Sequence, residues 1–305
     1  MKFSGYADEA ADDLAGQIRA TRALGWNDIE LRKIDGTFVH DLDADAFDHV
    51  AGTLRDADFG VWCVGSGIAN GGKLFDNPDD QSLAEARRCV PRLQRLGTRF
   101  VRLMSWPLLP SRPLSDQLGP QRITRLREIC SVFIDAGITP VHENCGNWGG
   151  LGARFSLDLI EQIPGLKLAF DPGNAVHDRD GDAQALADGT QPYLSAWDFY
   201  RRVRDHVAHV HVKDAFVDGH GAWRWCWPGE GHGDLARIIT DLLAHGYDGC
   251  FAIEPHLGTG THHGLNPLAA RIRTYVEYGR RTEALIATCR AQLAAEGHGL
   301  QEGPL

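Results

Sequence analysis

Four short stretches of this chain end in groups able to bind a metal ion or move a proton. They are VHEN (His142, Glu143, Asn144), AFDPGN (Asp171, Asn174), HVHVKDA (His209, His211, Lys213, Asp214) and AIEPH (Glu254, His256). One carboxylate after an apolar run is common and carries no message. Several carboxylates and imidazoles brought together are different, because a buried charge without a partner is costly. A divalent cation resolves that cost by neutralising several carboxylates in a small volume. A metal-free ion-pair network is the structural alternative; a run of four such stretches favours the metal. Three carboxylates (Glu143, Asp171, Glu254) with one imidazole make a hard, mostly oxygen site. It suits Mn2+, Mg2+ or Co2+ better than the closed sulfur and nitrogen sets of structural Zn2+. Mn2+ is the expected ion, with Mg2+, Co2+ or Zn2+ as alternatives.

These groups need a scaffold that aims them at one point. Short apolar or β-branched runs at 2–6, 28–32, 61–64, 100–104, 139–143, 166–171, 207–213 and 250–254 read as strands. Between them lie stretches with helical spacing at 12–24, 45–58, 80–96, 120–136, 155–163, 195–204, 234–245 and about 267–296. Glycines close many of them, among them Gly25, Gly97, Gly137 and Gly246. Eight strand–helix units in 305 residues predict a single α/β domain, a (β/α)8 TIM barrel over 1–305, with 297–305 a loose tail. An open doubly wound sheet is the alternative. It usually carries a glycine-rich phosphate loop after its first strand, where this chain has the acidic ADEAADD.

In a parallel barrel the reacting groups sit at the C-terminal ends of the strands. All four stretches fall there, on four consecutive strands. Strand alternation puts His209, His211 and Lys213 on one face. His211 and Lys213 lie nearer the mouth; His209 lies deeper, as a core histidine or a functional one. Asp214 either orients a neighbour or caps the loop.

Composition bounds the function. Hydrophobic content is 43% and charged content 24%, the balance of a globular protein. With 31 Lys plus Arg against 41 Asp plus Glu, the formal charge is -10, and no basic stripe is visible. Nucleic acid is therefore not an expected partner. Seven cysteines without a CxxC pair argue against a disulfide framework or zinc ribbon. MKFSGYADEA lacks an apolar signal core and no stretch reaches membrane-spanning length, so a reducing cytoplasm is the expected location and no membrane is expected.

The order of FSGYADEA, DIELRKIDG, HEN, FDPGN, HVHVKDA, PGEG and IEPHL resembles the sugar phosphate isomerase/epimerase superfamily, the xylose-isomerase-like barrels, over nearly the whole chain. The resemblance implies one metal held by Glu143, Asp171, His211 and Glu254. It also implies that Glu143 and Glu254 act as an acid/base pair on opposite faces of a sugar, with a cis-enediolate stabilised by the metal. The physical logic agrees: removing a proton beside a carbonyl makes an enolate, which needs a nearby cation and a positioned base. His142 and His256 are rival bases; strand parity points them away, though a strand end or loop can turn them back. Lys213 and Asn174 are candidate substrate contacts, as are Lys73 in GSGIANGGK and Trp106 in the Pro-rich loop after the fourth strand. The glycines of GSGIANGGK either let the backbone approach a sugar or phosphate or form a flexible loop. Trp223, Trp225 and Trp227 alternate in WRWCWPGEG, either paving the site or packing a hairpin on the rim or against another subunit.

Two departures narrow the reading. Ketose 3-epimerases commonly carry a His where this chain has Asn174 and an Arg where it has Val217. The expected function is therefore broader: a metal-dependent isomerase or epimerase of a sugar or sugar phosphate. The rival is a lyase or dehydratase on a keto-sugar, resembling inosose dehydratases or enzymes that eliminate an aglycone from 3-keto-glycosides. A homo-oligomer or a partner subunit is compatible with either. Endonuclease IV shares this type of barrel, but its trinuclear zinc chemistry needs more histidines and a basic groove. A catalytically silent sugar-binding protein would be marked by loss of the four ligands, and all four are present.

Overall fold

Apolar runs of four to six residues fold as the eight strands of one parallel sheet. They are β1 (Lys2–Gly5), β2 (Asp28–Leu31), β3 (Gly60–Gly65), β4 (Phe100–Leu103), β5 (Thr139–Glu143), β6 (Lys167–Phe170), β7 (Val207–Val212) and β8 (Cys250–Ile253). The structure is a computed structural model that describes residues 1–70, 72–187, 189–257 and 267–297. The strand order around the sheet is β1-β8-β7-β6-β5-β4-β3-β2. A single parallel bridge between Tyr6 and Glu30 joins its two ends, so the sheet is a nearly closed barrel. Both of those residues return in the site below.

Helices α1 (Leu14–Arg22), α2 (Ala44–Asp56), α3 (Ser82–Leu96), α4 (Gly119–Ile134), α5 (Ala153–Gln162), α6 (Pro172–His177), α7 (Ala196–Val203), α8 (Leu235–Ala244) and α9 (Leu268–Ala295) follow the strands. Their starts are chemical. Asp13 and Asp43 accept the backbone N–H of Gly16 and Ala46, and Ser195 accepts that of Asp198, each satisfying an orphan donor of the first turn. Gly97 stops α3 at φ 66°, a left-handed conformation that costs glycine nothing. Helix α6 was not expected from the sequence; it is short, begins at Pro172 and is capped by the Asp171 side chain. The expected tail lies, from 298 on, outside the described residues. Among the described residues no helix is long and apolar enough to cross a membrane.

The barrel has two kinds of interior. Outward-facing strand residues such as Leu103, Leu168, Val210 and Val212 join Leu126, Phe133, Phe199 and Ile239 of the helices in the main core. Cys63, Phe100, Val141 and Ala169 form a separate apolar plug inside the barrel. The same inward-facing rows continue toward the C-terminal mouth as Arg102, Glu143, His209 and His211, all buried. Apolar filling therefore ends part-way up, and charged filling takes over where the strands end.

Candidate active site

Strand β5 ends on Glu143, and Asp171, Lys213 and Glu254 lie just beyond β6, β7 and β8. With His211 from within β7, they come together at the mouth. One ligand atom each from Glu143, Asp171, His211 and Glu254 lies within 4.8 Å of the others, and all four residues are buried. An ion bound at about 2.0–2.3 Å separates opposite ligand atoms by no more than about 4.6 Å. The donor types suit one divalent cation and their spread is close to that limit; the Lys213 ammonium, 2.7 Å from Asp171 Oδ2 and Glu254 Oε2, is the cation that stands among them in this structure. Two further groups of donors are poorer hosts. Each offers three donors instead of four; Glu9, Glu254 and His256 have the Arg32 guanidinium among them, and in Glu30, Cys63 and His209 burial pushes the Cys63 thiol far up.

The four candidate ligands are held by neighbours on all sides. The Glu143 carboxylate lies 3.1 Å from His211 Nδ1 and 3.2 Å from Arg102 Nε, and it accepts Asn174 Nδ2 at 3.2 Å. Burial alone would raise the Glu143 carboxyl, but His211 and Arg102 outweigh it and hold it at about 2. Lys213 Nζ lies 2.7 Å from both Asp171 Oδ2 and Glu254 Oε2. Burial pushes Asp171 up to about 6 against the opposing pull of Lys213. On its other oxygen Glu254 accepts Arg32 Nη1 at 2.8 Å, and Arg32 also donates to Asp8 at 2.8 Å. Asn144 bonds both backbone groups of Asp171, at 2.8 and 2.7 Å, which pins β6 to β5 at the point where Glu143 and Asp171 meet.

Glu30 was missed by reading the sequence alone. Its two oxygens lie 2.9 Å from His209 Nε2 and 3.3 Å from His211 Nε2. His209 thus has a buried carboxylate partner, and His211 presents Nδ1 to the other ligands while Nε2 is occupied. Such a carboxylate fixes the ring and tautomer of a ligating histidine. Arg102, Arg32, Tyr6 and Glu9 were also missed. Tyr6 accepts Arg102 Nε at 3.0 Å and sets its ring edge-on to His211, 5.1 Å between centroids. The available signal was a charge inside an apolar strand, Glu30 in DIEL and Arg102 in FVRL.

The remaining expected site residues divide. His142 obeys strand parity and points away from the mouth: its Nε2 lies 3.0 Å from both Ser105 Oγ and Asn147 Oδ1. Burial holds its imidazole at about 4. It is thus not among the groups that meet at the site. His256 does meet them. Its backbone turns at φ 54°, and its ring lies 2.7 Å from Glu9 Oε1 and 3.6 Å from Glu254 Oε1. Asn174 supports Glu143 and Asn144, and Lys213 bridges two ligands. Lys73 is turned away, paired with Glu85 and bonded to Gly67 O at 2.7 Å. Trp106 is buried with its ring against Phe75, 5.1 Å between centroids. The glycines of that loop leave room for side chains: a Cβ on Gly65 would stand 2.5 Å from the Tyr6 ring, and one on Gly67 would stand 2.8 Å from Phe38. Asp214 is a loop cap, accepting the backbone N–H groups of Ala215, Gly229, Gly231 and Gly233 at 2.9 to 3.1 Å.

Trp223 and Trp225 lie on one strand of a hairpin, Asp214–Val217 paired with Trp223–Cys226. Trp225 is 5.1 Å from Lys213 Nζ and 4.9 Å from the His256 ring, measured from its centroid. Trp223 stacks on His177 at 4.5 Å and meets Trp225 at 5.0 Å. Trp227 parts from them and packs instead on Tyr278 and Arg281. Glu230 pairs with Arg281 at 2.8 Å.

A nearly closed eightfold α/β barrel with carboxylates and imidazoles converging at its C-terminal mouth defines the class. The xylose isomerase-like TIM barrel family matches residues 18–276, and the chain belongs to that family. Solved structures with the same fold include an L-ribulose 3-epimerase, 18% identical, covering 99% of each chain with a TM-score of 0.69. A xylose isomerase-like TIM barrel protein from Mycobacterium smegmatis, in complex with magnesium, is 18% identical over 89% of each chain, TM-score 0.65. The probable 3-DHS dehydratase AsbF of Bacillus anthracis is 15% identical over 92% of this chain and 99% of its own, TM-score 0.63. No curated protein sequence matches this chain.

Proposed function

We propose that this chain is a divalent-metal-dependent enzyme that isomerises or epimerises a sugar or sugar phosphate by moving a proton beside a carbonyl. The observation that carries the reading is the convergence of Glu143, Asp171, His211 and Glu254 ligand atoms within 4.8 Å. Support for a sugar comes from the family and from the L-ribulose 3-epimerase that shares the fold. When bound, a divalent ion such as Mn2+ supplies positive charge beside a substrate carbonyl and so makes the adjacent C–H more acidic. The chain's own groups do the rest. Glu143 and Glu254 enter from β5 and β8, with β6 and β7 between them, so they can address a substrate from two sides. Arg102 and Asn174 fix the first, and Lys213 and Arg32 fix the second. His256, within 3.6 Å of Glu254, is the alternative proton carrier.

A second reading has a specific observation behind it. Trp225 stands 5.1 Å from Lys213 Nζ and meets Trp223 at 5.0 Å, so aromatic rings border the candidate site, which suits a lyase that expels an apolar leaving group from a keto-sugar with the same base. Elemental analysis followed by proton NMR in deuterated water tests both. Loss of a substrate proton to solvent with a rearranged sugar is the expected result. Release of water or an aglycone selects the lyase. Protein without a stoichiometric ion, even after reconstitution, would overturn the whole reading.

A further inference from the structure

We infer that Lys213 is a counter-cation built into the site: its ammonium and a dication contend for the same two carboxylate oxygens, so this lysine sets how tightly the metal is held. The inference rests on the metal-dependent reading and names the residue that tunes it. Each candidate ligand has one atom engaged by a neighbour. Arg102 Nε faces Glu143 Oε2 at 3.2 Å, and the Asn174 backbone N–H donates to Asp171 Oδ1 at 3.2 Å. Glu30 Oε1 lies 3.3 Å from His211 Nε2, and Arg32 Nη1 donates to Glu254 Oε1 at 2.8 Å. The second atoms of the set are Glu143 Oε1, Asp171 Oδ2, His211 Nδ1 and Glu254 Oε2. Lys213 Nζ stands 2.7 Å from two of these, Asp171 Oδ2 and Glu254 Oε2. Arg32 and Arg102 are cations too, but they approach the other oxygens and leave this set alone.

The lysine is fixed in place. Its stem passes Gly173, where an added Cβ would stand 2.9 Å from Lys213 Cγ. The side chain is buried, so water and salt screen its charge little. Asp171 Oδ2 is also buried and accepts no hydrogen bond among the described residues, so the ammonium meets it as a charge. That charge has opposite effects on two states. In chelated protein it holds Asp171 and Glu254 together, and its loss would leave buried carboxylates uncompensated. Toward an arriving dication it is a like charge that repels and must shift. A short shift suffices, because Nζ already stands 5.1 Å from the centre of the Trp225 ring, within reach of its π face.

The test compares the natural full-length protein with Lys213→Met, which removes the charge, and Lys213→Gln, which removes it but keeps N–H donors. Mn2+ affinity is read by calorimetry. Release of Mn2+ into excess chelator is timed from loaded, folded protein, so it does not depend on how stable the chelated fold is. Both variants are expected to bind Mn2+ about tenfold more tightly and to release it correspondingly more slowly. In chelator both should unfold at lower urea than the natural protein. A lysine that merely orients the carboxylates predicts the reverse sign for the metal. Affinity unchanged or weakened in both variants, or release as fast as from the natural protein, would overturn the inference and leave the metal-dependent reading standing. Mn2+ bound by none of the three proteins defeats that reading, and this inference with it.

Discussion

At the scale of single residues, Glu30 decides how His211 is presented. Its carboxylate spans the Nε2 atoms of His209 and His211, leaving Nδ1 of His211 toward Glu143. Glu30→Gln keeps the volume and one acceptor but removes the charge. Partners of this kind are typically worth about 10 to 100-fold in metal affinity. Mn2+ binding by calorimetry should weaken by that factor while the folded fraction is unchanged; unaltered affinity would show that Glu30 has no part in holding the ring. The four candidate ligands were legible in the sequence because each follows an apolar run at a strand end. Their supporting groups were not: Glu30 and Tyr6 come from early strands and meet the late ones only by closure of the ring, and Arg102 is a lone charge in the apolar strand beside Glu143. His142 and His256 show the limit of reasoning from neighbours in sequence. The first keeps the alternation of its strand and faces out, while a left-handed turn at φ 54° delivers the second to Glu254.

At the scale of elements, the hairpin after β7 is organised by Asp214. Four backbone N–H groups converge on its two oxygens, fixing the turn from Gly229 to Gly233 while Ala215 pairs with Trp225. Asp214→Asn retains one acceptor oxygen and turns an NH2 toward donors. Leaving two buried donors unpaired costs about 2–4 kcal/mol. Urea unfolding should show a loss of that size, with a change in near-ultraviolet circular dichroism from the displaced tryptophans; an unchanged midpoint would mean that the turn holds itself. The strands and long helices were legible from periodicity, since a barrel strand is short, apolar and bounded by turn residues. Helix α6 was not, because Pro172 and Gly173 read as a loop, and what makes it a helix is Asp171 capping Asn174. The alternating tryptophans show the same mixture: period two puts Trp223 and Trp225 on one face, but the strand ends at Cys226 and frees Trp227 for α9.

At the scale of the whole molecule, the charge is unevenly placed. Asp8, Glu9, Glu30, Glu143, Asp171 and Glu254 crowd the mouth, matched there by Arg32, Arg102 and Lys213 and the histidines 209, 211 and 256. Six carboxylates face three permanent cations, and a dication would offset the negative charge that the histidines leave unmatched when neutral. Elsewhere the fold stores proton sensitivity in buried imidazoles. Burial lowers both His40 and His142 to about 4. In the unfolded chain they titrate near 6.5, so between the two values the unfolded state binds more protons and stability rises with pH. The stabilisation is complete above about pH 6.5 and is lost as pH falls toward 4. From pH 6.5 to 5 each histidine withdraws about 2 kcal/mol. Asp171, raised to about 6 by burial, works in the opposite direction and offsets about 1 kcal/mol of this in chelated protein. Urea midpoints in the presence of chelator should therefore fall between pH 7 and pH 5. His40→Leu, which removes one titrating ring that is not among the candidate ligands, should shrink that fall by roughly two-thirds. An acid sensitivity identical in His40→Leu and the natural sequence would show that His40 is protonated as readily in the folded chain as in the unfolded one.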